Sequence, residues 1–152
     1  PCGLMDQLAC ATGGVIALDF GKPFPEIERV DFDLKAAGYA MCIVDSRVSH
    51  ADLSADFAAI PEEMRNAASY FGKEVLGEVS EEDFYRELTL IRKYAGDRAV
   101  LRSIHWFDEN KRVDQQAEAL EKNDFEKFKA LVRSSGESSY KYLQNVFCSK
   151  AF

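Results

Sequence analysis

The order in which two hydrophobic periodicities occur constrains this chain most. Three short apolar or alternating runs, VIALDF at 15–20, VDFDL at 30–34 and YAMCIVD at 39–45, all fall before residue 46. Beyond that point the apolar residues recur at helical spacing. VIALDF, ended by Gly21 with Pro23 and Pro25 beyond, predicts a buried strand. VDFDL alternates apolar with acidic residues, as a half-exposed strand does, and YAMCIVD, mostly apolar and bounded by Gly38, predicts a central strand. A short helix over LMDQLACAT, 4–12, is expected ahead of them, stopping at Gly13-Gly14. Strands followed by a block of helices predict an α+β fold, not alternating parallel units.

The helical block divides at its glycines and caps. Phe57, Ile60, Met64, Ala67 or Ala68 and Phe71 form a stripe that Gly72 ends, with Ser54 or Asp52 as the expected cap. Pro61 stands late for a helix start and predicts a kink or a later beginning. Ser80-Glu81-Glu82-Asp83 resembles a capping box ahead of Phe84, Leu88, Ile91 and Ala95. Gly96 separates that stripe from a helix capped by Asp97 and running toward Leu120. Asn123-Asp124 opens another helix, with Phe125, Phe128 and Leu131 inward, and a last segment is expected over 138–147.

A chain of 152 residues has room for one domain, or for part of a larger one. With 26 acidic against 19 basic residues its net charge is -7, which speaks against nucleic acid or an anionic membrane as partner. Its four cysteines form no CxxC pair and it has only two histidines, so a zinc site is not expected. The cysteines lie among apolar or small neighbours, which predicts buried free thiols in a reducing compartment, hence the cytoplasm. No window approaches the ~18 apolar residues of a membrane span. The opening PCGLMDQ and the ending Lys150-Ala151-Phe152 both suggest positions interior to a longer protein.

Few residues are candidates for chemistry. Asp6 stands near the start of the first helix, where backbone N–H groups favour its charged form. It reads either as a helix cap or as a general base in a pocket floored by Gly3. His50 lies just past a strand end, in a ligand-contacting loop or a capping position; His105, beside Trp106 within a helix, reads as a core histidine. The sequence contains no complete Ser/His/Asp set, phosphate loop or metal cluster.

PCGLMDQ resembles the C-G-(I/L)-M-D-Q segment of galactokinases, members of the GHMP small-molecule kinase superfamily. Other matches follow in that family's order. VIALDF resembles its next strand, and CIVDSRVSHADLSADF its strand and N-S-x-x-x-H loop, with Asp45-Ser46 for Asn-Ser and His50 retained. LRSIHWFDENKRV resembles the helix written R-x-x-H-x-x-x-E-N-x-R, with Arg102, His105, Glu109, Asn110 and Arg112 in place. FEKFKALVRSSGESSYKYL resembles a later helix more loosely.

The resemblance implies a GHMP-kinase-like fold. Residues 1–34 would be the remnant of the N-terminal domain and 35–152 most of the C-terminal one. It implies transfer of the γ-phosphoryl group of MgATP to the anomeric hydroxyl of α-D-galactose, with Asp6 as base and Gly3 contacting the sugar. Phe57 stands where the family has a sugar-reaching Tyr, which keeps a related hexose such as N-acetylgalactosamine in view as substrate. A non-catalytic galactose sensor is a further alternative, against which the intact Asp6 speaks. The family's G-R-x-E-x-T-D-H-N segment, its glycine- and serine-rich phosphate loop and its terminal glycine-rich segment do not occur in these residues. ATP and Mg2+ are therefore expected only with the rest of a longer protein, and this chain alone is expected to be inactive.

Overall fold

The computed structural model describes residues 4–45, 47 and 53–146. The fold is α+β, and its element order is helix, two strands, then five helices. Helix α1 (Met5–Thr12) ends at Gly13, whose φ of 69° is followed by 73° at Gly14. Two successive left-handed residues need the glycine pair, and they turn the chain directly into β1 (Val15–Asp19). β1 pairs antiparallel with β2 (Glu26–Val30), Val15 opposite Val30 and Asp19 opposite Glu26.

Two strand expectations are corrected here. VDFDL is not a strand: β2 lies earlier and shares only Val30 with it. The proline-containing connection at 20–25 brings EIERV back against β1, while Asp33 Oδ1 accepts from the N–H groups of Lys35 and Ala36 (2.8 and 3.1 Å) and turns the chain away. YAMCIVD is irregular rather than a central strand, and Met41, Ile43 and Val44 are 83%, 96% and 87% exposed. A strand needs a neighbouring backbone, and among the described residues none lies beside it. The expected burial of thiols also fails for Cys10 and Cys42, which are exposed; Cys2 and Cys148 lie outside the described residues.

The helices follow the sequence pattern more closely. α2 (Ser54–Ser69) runs unbroken through Pro61, with Leu53 at its N-cap, so the expected Ser54 cap and the later start are both corrected. Asp52 lies outside the described residues. Pro61 withholds only the hydrogen bond that Phe57 O would otherwise accept, and the half-buried Ile60 and Met64 hold the turns on either side of it. Ser80 Oγ does accept from Asp83 N (3.3 Å). The stripe behind it is divided at Glu87 into α3 (Glu81–Arg86) and α4 (Leu88–Ala95), and Phe84 and Ile91 remain fully buried. Helix α5 (Asp97–Glu121) follows Gly96, and α6 (Phe125–Ser138) opens behind Asp124, whose Oδ1 accepts from Lys127 N at 3.0 Å. The last expected helix is instead one π-helical stretch, Ser139–Leu143, closed by Gln144 in the left-handed region.

These elements form two compact units, residues 1–45 with 112–132, and residues 46–111 with 133–152. The second unit holds a core in which Ala67, Ala68, Phe84, Ile91 and Ala99 are at most 1% exposed. The first unit rests on Val30, Ala119 and Leu120 and on an aromatic stack. There Phe32 and Phe128 flank Phe125 at 5.3 and 5.5 Å, and Tyr39 lies 4.3 Å from it.

Candidate functional site

Asp6 occupies the first turn of α1. The helix start has Leu4 at the N-cap and no side-chain cap bond, so Asp6 is not serving as the N-cap. Its side chain is exposed, and among the described residues no ion pair engages it. The N–H groups of this turn favour a negative charge there. α1 lies against β1, and Arg29 Nη2 on β2 donates to Thr12 O (3.0 Å), satisfying a carbonyl at the other helix end. The first unit therefore fixes the helix while leaving the Asp6 carboxylate exposed to solvent.

Gly3 and His50 lie outside the described residues. Phe57 stands in the first turn of α2, in the second unit, with 43% of its surface exposed. Its ring is thus not a core residue of that helix, whose buried positions are Ala67 and Ala68.

The residues of the R-x-x-H-x-x-x-E-N-x-R helix hold structure together. His105 is buried, with Nδ1 2.9 Å from the buried Ser138 Oγ, and Ser135 Oγ donates to Glu109 Oε1 (2.6 Å). Arg102, its side chain 4% exposed, donates through Nη1 to Glu63 Oε2 (2.9 Å) and through Nε to Leu143 O (3.1 Å). Arg98 shares the same carboxylate through Nε (2.8 Å). Burial pulls the Arg102 guanidinium below its ordinary pKa, and Glu63 opposes that shift. Glu63 was not singled out in the sequence because its partners lie 35 and 39 residues away, beyond any helical period.

A depression of about 500 Å3 beside the hairpin is lined by Asp19, Glu26, Glu28 and Asp114 with Ala17, Leu18, Ile27 and Val113. Four carboxylates repel a nucleotide's phosphates, so this hollow does not suit ATP. No group of three potential metal-ligating side chains converges among the described residues. Among the described residues no helix is long and apolar enough to cross a membrane.

No family model matches the chain, and no solved structure matches it. Curated sequences do. It is 32% identical over 156 residues to a protein named galactokinase in Thermotoga petrophila, covering 98% of this chain and 40% of that protein. A galactokinase of Thermosipho africanus matches at 29% over the same coverage, and one of Glaesserella parasuis at 30%, covering 90% of this chain and 35% of the relative. The chain is related to the galactokinases. The resemblance carried by the five segments therefore extends along almost all of it, and the chain spans about 40% of the length of the Thermotoga and Thermosipho relatives.

Proposed function

We propose that this chain is the portion of a galactokinase that carries the sugar-facing carboxylate. The whole protein would transfer the γ-phosphoryl group of MgATP to the anomeric hydroxyl of α-D-galactose. The observation that carries this reading is Cys2-Gly3-Leu4-Met5-Asp6-Gln7 within a galactokinase match covering 98% of the chain. The exposure of Asp6 at a helix start supports it, because a proton acceptor must be reachable and charged.

In this reading Asp6 accepts a hydrogen bond from the anomeric hydroxyl and takes its proton as the oxygen bonds to phosphorus and the bond to ADP breaks. A carboxylate is a weak base for an alcohol. Its contribution is alignment and late proton transfer, which suits a loose phosphoryl-transfer transition state. Gly3, with no side chain, would let the sugar approach the backbone. No step involving the nucleotide is assigned to these residues, and MgATP would be held elsewhere in the longer protein. The division at 1–34 and 35–152 and the GHMP-kinase fold belong to this proposal, as does a cytoplasmic location.

The test is an ADP-release assay on the full-length protein. Asp6→Asn is expected to lower turnover by about 10²–10⁴-fold while calorimetry still detects galactose. Unchanged turnover overturns the assignment. Phe57 favours one second reading, a kinase of a related hexose. The missing hydroxyl removes a hydrogen bond of about 0.5–1.5 kcal/mol, so a panel including N-acetylgalactosamine identifies the preferred sugar.

A further inference from the structure

Helix α1, which carries Asp6, is held lightly by packing and firmly at its far end. Among the described residues it buries none, and Leu8 and Thr12 are its half-buried side chains. It joins β1 through Gly13-Gly14, both in the left-handed region. A Cβ at either glycine would meet nothing within 4 Å, so packing does not wedge this joint. The last turn of α1, Ala9-Cys10-Ala11-Thr12, brings no cation to the carbonyls that end a helix. The hairpin brings one. Arg29, opposite Ile16 in the register of β2 with β1, donates through Nη2 to Thr12 O at 3.0 Å. A guanidinium there satisfies an orphan carbonyl and meets the negative end of the helix dipole. It ties the hairpin beyond the glycine joint to the helix before it.

From this geometry we infer that Arg29 is a positioning residue for the proposed phosphoryl transfer: it sets the tilt of α1, and through that tilt the place of the Asp6 carboxylate. This rests on Asp6 being the proton acceptor of that reaction. Thr12 stands six residues beyond Asp6, about 9 Å along the axis at 1.5 Å per residue. A swing of about 10° at the glycine joint would therefore move Asp6 by roughly 1.5 Å. Phosphoryl transfer depends on alignment more than on covalent chemistry by the protein. A misplacement of about 1 Å can cost roughly 10²-fold in rate. Arg29 is bound at the end of α1 opposite to Asp6, so its effect passes through the helix.

The test is Arg29→Met in the full-length protein, with thermal unfolding reporting the folded fraction. Its kcat for galactose phosphorylation is expected to fall about 10-fold or more, with KM for MgATP within about twofold of the unsubstituted protein's. Arg29→Lys, which can still donate to Thr12 O, is expected to recover most of that kcat. Arg29→Met is also placed in an Asp6→Asn background, where no further loss is expected because the group being positioned is gone. A purely structural role would lower turnover equally in both backgrounds. Unchanged kcat in Arg29→Met overturns the inference, and so does an equal further loss beside Asp6→Asn. If the Met variant does not fold, Arg29→Gln takes its place and the same two outcomes decide. Asp6→Asn read alone separates the two proposals. Unchanged turnover there sinks the functional reading and this inference with it, whereas lost turnover there beside an unaffected Arg29→Met sinks this inference alone.

Discussion

The two units divide their apolar residues in opposite ways. In the second, Phe84, Ile91, Ala67 and Ala68 are fully buried, and even its buried polar groups are matched, Arg102 by Glu63 and His105 by Ser138. In the first, Leu4, Met5, Phe20, Met41, Ile43 and Val44 are exposed, while Val30, Ala119 and Leu120 are the buried apolar residues among those described. Burial at about 25 cal/mol per Å2 of apolar surface is the main force that fixes a fold. The second unit therefore carries most of the chain's own stability, and the first carries the proposed chemistry on a lighter frame.

The largest expected effect on that contrast comes from the core ring. Phe84 is fully buried, 5.1 Å from Phe107, and Phe84→Ala should lower unfolding free energy by about 3–5 kcal/mol in urea denaturation. Phe125, the centre of the first unit's aromatic stack, is only partly buried, and Phe125→Ala should cost clearly less. Equal losses at the two rings would break the comparison.

Next is the carboxylate that two arginines share. Glu63→Ala leaves the Arg102 guanidinium buried, with Leu143 O as its remaining acceptor. Removing one partner of a buried pair typically destabilises by about 3–5 kcal/mol, and because Glu63 keeps 17% exposure the loss should sit at or below the lower end. Arg102→Met together with Glu63→Met should recover much of it, because no buried charge is then left alone. A double variant as unstable as the single one would show that the π-helical end, held through Leu143 O, is what Arg102 secures.

How far the sequence revealed this structure depends on how local each determinant is. Gly13 and Gly96 end helices where the pattern places them, both at positive φ, whereas α2 stops at Ser69, short of Gly72, and Ser80 caps α3 through its own side chain. These are determinants within four residues of their effect. The strands were misplaced because pairing is decided between distant segments. EIERV is a strand through its register with VIALD, and YAMCIVD is irregular although its composition favours a strand. Glu63 was invisible for the same reason. Of the candidate site, Asp6 was legible as a residue type at a helix start and Phe57 as a departure from a motif. Contact between a side chain and a sugar is no property of local sequence.

The smallest effect concerns the exposed joint between α4 and α5, where Asp97 Oδ2 accepts from Arg92 Nη2 at 3.2 Å and Oδ1 from Arg92 Nε. These hydrogen bonds and the charge of Arg92 hold the Asp97 carboxyl below its ordinary 3.8. A carboxyl lowered in the folded state contributes stability that is complete above its unfolded pKa and is lost as pH falls through the folded one. The joint should therefore be unaffected near neutrality and weaken only below about pH 4. Both side chains face solvent, so salt screens the pair and the change in melting temperature should be slight. Arg92→Gln is expected to flatten that acid limb without altering the melting temperature near pH 7 by more than a degree or so. A large loss at neutral pH would mean that the break at Gly96 relies on this pair, and that the second unit is less self-sufficient than its core implies.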